Sequence, residues 1–165
     1  MLKPAILFKK EIENNFKNYF YTDDMMYETG CFENWIPNIS EEDNEGSYQF
    51  AIVNSEDKVI GYLGYNINWY NSCASRFGLI SFDRGNPLIG KDLYNELDKL
   101  INEYKLHRIE WRMVGGNPAE RGYDRFCKKY NGTKHILTDA IRDKYGKYHN
   151  DIIYEIINKG NSNEK

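Results

Sequence analysis

Cysteine is scarce in this 165-residue sequence: Cys31, Cys73 and Cys127 are odd in number, far apart and in no metal-ligand spacing. That pattern argues against a disulfide framework and against a metal site, and it fits reduced thiols in the cytosol. Long apolar runs are missing as well. The first of them, AILF at Ala5–Phe8, is too short for the apolar region of a signal peptide or for a membrane helix, so the chain is expected to start at Met1 and stay cytoplasmic, with no membrane partner. A basic run is also absent. Lys and Arg number 22 against 25 Asp and Glu, a formal charge of -3, which disfavours a nucleic-acid backbone as partner. With neither a Walker pattern nor a Rossmann fingerprint, a nucleotide-binding α/β enzyme is disfavoured too. His107, His135 and His149 form no cluster in the sequence.

Aromatic residues, at 15%, are abundant, and hydrophobic residues reach 41%. A chain of this length can bury a real core. One domain over 1–165 is expected, with a frayed tail at 159–165. Ile6, Ile12, Phe16, Tyr19 and Phe20 repeat at helical spacing and predict an amphipathic first helix. Thr22 to Asn44 reads as a short helix and an exposed acidic loop. YQFAIV, VIGYLGYNINWY and SRFGLISFD are β-rich runs, the first two separated by a turn-forming NSEDK, and predict three consecutive antiparallel strands.

Ile89, Leu93, Leu97, Leu100, Ile101 and Tyr104 predict a long helix with one buried face. HRIEWRMV alternates, with Ile109, Trp111 and Met113 on one side and Arg108, Glu110 and Arg112 on the other. In GGNPAERGYDRFCKKYNG, Asn117 is placed to cap a helix with Pro118 at its first position and Glu120 closing a capping box. Two final strands form a hairpin around KYGKYHN. The strand–helix–strand passage from Ser75 to Val114 requires a crossover and therefore one parallel pair in an otherwise hairpin-connected sheet.

Four stretches, in this order, resemble the GNAT family of acetyl-CoA-dependent N-acetyltransferases from about Tyr48 to Ile157. ISFDRGNPLIGKDL is similar to the family's pyrophosphate-binding strand, loop and helix. IEWRMVGGNP is similar to the next strand and its asparagine, YDRFCKKYNG to the helix that often carries a catalytic tyrosine, and YGKYHNDIIYEI to a closing hairpin. The family signature is met only at Gly90; Gly85 stands in the Arg/Gln slot, Leu88 in the first glycine slot, and Arg84 lies one place early.

The resemblance implies a mixed, mostly antiparallel α/β sheet flanked by helices, acetyl-CoA as co-substrate and no metal. A helix start supplies the N–H groups and positive potential that a pyrophosphate needs. Leu88, Ile89, Gly90 and Lys91 are the expected donors, Gly85 the sharp turn, Arg84 and Lys91 added charge. The plainer reading of the same loop is a turn in which Asn86 caps and Pro87 starts an ordinary helix. By the resemblance, backbone N–H groups within Leu79, Ile80, Ser81 and Phe82 serve the oxyanion, Asn117 fixes the pantetheine arm or the tyrosine, and Tyr123 protonates the leaving thiolate. Glu110 or Asp83 is the candidate base. The acceptor, an amine-bearing small molecule or protein amine, is expected between the first two helices and the sheet, lined by Tyr27, Trp35, Trp69 and Tyr70. A GNAT-fold module without catalysis is the alternative. The state of assembly, monomer or homodimer, stays open.

Overall fold

The computed structural model describes residues 1–19, 37–40 and 46–160. The helix expected after Thr22, with Tyr27 and Trp35, and most of the acidic loop lie outside the described residues. Among the described residues seven strands form one sheet in the order β1-β2-β3-β4-β5-β7-β6. They are β1 (Leu2–Pro4), β2 (Ser47–Val53), β3 (Val59–Asn68), β4 (Cys73–Ser81), β5 (Arg108–Val114), β6 (Thr133–Arg142) and β7 (Tyr148–Ile157). The described α-helices are α1 (Lys9–Tyr19), α2 (Pro87–Asn102) and α3 (Glu120–Lys129). Every strand pair is antiparallel except β4 with β5, the pair that α2 connects.

The helices follow their apolar spacing. α1 sets Ile12 and Phe16 one turn apart against Ala51, Val53, Tyr62 and Ile80 on one sheet face. Phe16 meets the Tyr62 and Phe82 rings edge-on at 5.6 and 5.4 Å, and burial pushes the Tyr62 phenol up to about 12. α2 buries Ile89, Leu93, Leu97, Leu100 and Ile101 on the opposite face. Each such side chain contributes about 1.5–3 kcal/mol on leaving water, which makes these two stripes the main attachment of the helices.

Three details depart from expectation. The apolar AILF run is a 3₁₀ turn (Ala5–Phe8), so the α-helix begins only at Lys9, and the unexpected β1 before it pairs with β2 from Leu2↔Ile52 to Pro4↔Phe50. α3 starts at Glu120 rather than Pro118: Asn117 Oδ1 accepts the Ala119 N–H at 2.9 Å and closes a turn ahead of the helix. Finally, Arg76 adopts φ +57 inside β4. Gly64 faces Gly78 and Asn66 faces Ser75, so two residues, Arg76 and Phe77, oppose Tyr65 alone. This bulge changes the strand's alternation and brings both Ala74 and Phe77 into the core beneath α2.

Candidate active site

Strands β4 and β5 pair only at Cys73↔Arg108 and Ala74↔Ile109. Beyond that point they separate, because β5 stays in register with β7 as far as Val114 while β4 stays with β3 as far as Ser81. The gap opens into a cleft of about 380 Å³. Its walls are Phe77, Leu79 and Ser81 of β4, Trp111 and Met113 of β5, the Arg84–Pro87 loop with Ile89, Gly90 and Tyr94 of α2, and Asn117–Ala119 with Tyr123 on the side of α3.

The backbone in the gap sorts the expected oxyanion donors. Phe82 gives its N–H to Ile60 C=O at 2.9 Å. Antiparallel alternation then turns Ile80 toward β3 as well, and leaves Leu79 and Ser81 directed at the gap. Leu79 and Ser81 also line the cleft with their side chains, while Ile80 and Phe82 pack beneath α1. Of the four, the structure brings only Leu79 and Ser81 to the cleft.

At the start of α2 the two readings of the loop coexist. Asn86 Oδ1 accepts the Leu88 N–H at 3.0 Å, and its carbonyl takes the Ile89 N–H at 3.3 Å. Leu88 and Ile89 are therefore engaged within the turn, a correction to the expected donor set. Gly90 offers space rather than a donor: a Cβ built there meets no atom within 4 Å, and the residue lines the cleft. Gly85, at φ +80, makes the turn. Arg84 lines the cleft with its Nε donating to the Tyr19 hydroxyl at 3.3 Å, whereas the exposed Lys91 lies outside the lining. No acidic side chain occupies the first turn of α2 itself; the Asp83 carboxylate ahead of it is engaged by Asn86 Nδ2–H.

Tyr123 is buried, 8% exposed, and lines the cleft from α3. Its ring meets Trp111 edge-on at 5.9 Å and Tyr154 at 5.8 Å. The Trp111 indole N–H is buried without an acceptor among the described residues. A second glycine matters here: a Cβ at Gly122 would lie 2.0 Å from the Tyr94 hydroxyl, so glycine is what lets α3 close on α2 while Tyr94 stacks on Phe126 at 5.4 Å.

Neither candidate base reaches the cleft. Glu110 points to the opposite sheet face, where Arg108 sits between Glu110 at 2.7 Å and Glu155 at 2.9 Å. Asp83 is exposed in the turn and accepts Asn86 Nδ2–H at 2.8 Å. Trp69 and Tyr70 stand at the β3–β4 turn, the far end of β4 from the loop; Trp69 rests on Tyr104 at 5.9 Å and Tyr70 is 97% exposed. Neither residue lines the cleft. Among the described residues no group of three His, Cys, Asp or Glu is placed to hold a metal ion.

Sequence reasoning did not assign Phe77, Tyr94, Trp111, Met113 or Arg112 to the site. For Trp111 and Met113 the signal existed in their shared alternation on β5. For Arg112 it did not, because its place at the rim is set across strands by the buried Asp151, which takes both its Nε and Nη2.

The comparisons with solved structures agree with this architecture. The spermidine N-acetyltransferase of Vibrio cholerae in complex with CoA and spermine matches with a TM-score of 0.65 at 18% identity, covering 96% of this chain and 95% of that one. The spermidine/spermine N-acetyltransferase SpeG of the same organism, in complex with manganese ions, matches with a TM-score of 0.56 at 16% identity, over 90% of this chain and 74% of that one. The chain has the GNAT acetyltransferase fold, a mixed sheet flanked by helices. No protein-family profile matches the sequence, and no curated protein does. Among the described residues no helix is long and apolar enough to cross a membrane.

Proposed function

We propose that the protein is an N-acetyltransferase that moves an acetyl group from acetyl-CoA to a primary amine by direct attack. The observation that carries this reading is the opening of β4 from β5, which gathers the backbone of Leu79 and Ser81, the open face of Gly90 and the Tyr123 side chain around one cleft. The residues present fit the co-substrate. Gly90 leaves room at a helix start whose first turn carries no acidic side chain, and Trp111 holds an indole N–H in need of an acceptor. When bound, acetyl-CoA supplies the activated thioester and the thiolate leaving group.

The chain's own groups have three tasks. Gly90, with Arg84 and the positive end of α2, holds the diphosphate in the cleft. Leu79 and Ser81 N–H groups face the carbonyl oxygen as it gains negative charge under attack by the neutral amine. Tyr123 gives its hydroxyl proton to the departing sulfur. The proton lost by the amine leaves through water, since Glu110 and Asp83 both face elsewhere. Spermidine and spermine, the amines named for the structural neighbours, are the first acceptors to try, before peptide N-termini and lysine side chains.

The rival reading, a GNAT-fold module without catalysis, is favoured by the Asn86 contacts that occupy the Leu88 and Ile89 N–H groups. Thermal unfolding with and without acetyl-CoA, with ATP and NAD as controls, separates the two, because a ligand bound only by the folded state raises the midpoint. A rise specific to acetyl-CoA, together with free-thiol release in the presence of one of the amines, supports the enzyme. No rise at millimolar acetyl-CoA removes the cleft from the reading.

A further inference from the structure

Tyr154 lies at the centre of β7 with no solvent exposure, outside the cleft lining and without a part in the chemistry just described. Its ring stacks on Trp111 at 5.2 Å and meets Tyr123 at 5.8 Å. Its hydroxyl donates to Asp124 Oδ1 at 2.7 Å. Asp124 is the residue after Tyr123 on α3, and the same oxygen receives Lys134 Nζ at 2.8 Å. Lys134, on β6, also reaches Glu120 Oε1 at 2.8 Å, while the other Glu120 oxygen accepts the Gly116 N–H at 3.3 Å. Two strands of the sheet thus grip the first turn and a half of α3 at Glu120 and Asp124, on either side of Tyr123. The far end of the helix is tied separately, through Lys129 and Tyr130 to Asp98 of α2.

We infer that Tyr154 is a positioning residue: with Asp124 and Lys134 it fixes the rotation of α3 that aims Tyr123 into the cleft. This rests on the acetyltransferase reading only for its consequence in turnover; the orientation of Tyr123 is a separate observable. A helix held only by its apolar stripe can rotate by a fraction of a turn at small cost, and a displacement of about 1 Å at a catalytic group can lower a rate by about 100-fold. The buried Tyr154 hydroxyl supplies a directional contact that apolar packing lacks. Its partner is a carboxylate held below its ordinary value by Lys134 first and Tyr154 second.

The test uses the full chain with fluorine-labelled tyrosine, the Tyr123 resonance being assigned by its loss in Tyr123→Phe. Tyr154→Phe keeps the ring stack and removes only the hydroxyl. It should shift or split the Tyr123 resonance, and so should Asp124→Asn. Asp98→Asn, which unties the other end of α3, should leave the resonance in place. In acetyl transfer, Tyr154→Phe should lower kcat by about tenfold with KM for acetyl-CoA unchanged. A Tyr123 resonance unmoved by Tyr154→Phe, or moved equally by Asp98→Asn, overturns the inference whether or not the protein turns over. A moved resonance with unchanged kcat overturns it too. A parent protein that transfers no acetyl group refutes the proposed function instead, and the resonance still decides whether Tyr154 positions Tyr123.

Discussion

The tripeptide Gly-Asn-Pro occurs twice, at Gly85–Pro87 and Gly116–Pro118, and Gly85–Pro87 of the first and Asn117 and Pro118 of the second line the same cleft ahead of α2 and α3. Locally they behave alike. Each glycine has positive φ, +80 and +87, and each asparagine Oδ1 accepts the N–H two residues on, at 3.0 and 2.9 Å. The helices they introduce differ. Pro87 is the first residue of α2, whose first turn has no acidic side chain. After Pro118 the helix waits until Glu120, whose carboxylate sits at the positive end of α3 and is neutralised by Lys134. One start keeps its potential for an anion; the other commits it to an internal contact. The same three residues therefore serve binding in one place and anchorage in the other, and the neighbours decide which.

The largest test of this contrast is Gly90→Asp, which puts a carboxylate at the open helix start. Acetyl-CoA affinity should fall by about 3 kcal/mol or more, over a hundredfold, on the scale of a like-charge contact. Titration calorimetry reads it, and unchanged affinity would make the first start as inert to anions as the second. Next in size, Tyr123→Phe should reduce kcat by about 100-fold while sparing acetyl-CoA binding, since a positioned acid contributes at least that much. Equal turnover in the variant would assign the proton to another donor.

The two asparagines can then be set against each other. Asn86→Ala, which loses an N-cap, and Asn117→Ala, which loses a turn hydrogen bond, should each cost about 1 kcal/mol, a midpoint lowered by about 2–4 °C. They should part in binding: Asn86→Ala frees the Leu88 N–H and holds or improves acetyl-CoA affinity, whereas Asn117→Ala loosens a cleft wall and weakens it. Parallel effects in calorimetry would erase the distinction between the two starts.

The smallest effect is in acid. Lys134 and Tyr154 hold the Asp124 carboxyl below the usual carboxylate range, and Lys129 and Tyr130 do the same for Asp98. A folded value below the unfolded one adds stability above about pH 4, and that stability is lost as pH falls through the folded value. The parent should lose thermal stability below about pH 4, and Asp124→Asn should show a shallower acid slope with a lower midpoint near neutrality. Identical slopes would remove Asp124 from the acid-sensitive set.

Much of this was legible in the chain because it depends on neighbours in sequence. The apolar spacing of Ile89 to Ile101 sets α2, the alternation around Trp111 sets β5, and the crossover from β4 to β5 sets the one parallel pair. Residues whose role depends on contacts across strands were not legible. Glu110 alternates correctly yet is committed to Arg108 on the far face. Trp69 and Tyr70 are aromatic, but the length of β4 carries them to the end of the sheet away from the cleft.

By itself the sequence determined α1–α3, β2–β7 and their order, and the glycine at position 90, since propensity, apolar period and backbone freedom are local properties. The tertiary structure alone decided where β4 leaves β5, which N–H groups face the gap, and what holds α3 above it. Those outcomes depend on the Arg76 bulge, on the competing loyalties of two strands and on hydrogen bonds such as Tyr154 to Asp124, which join residues 30 positions apart.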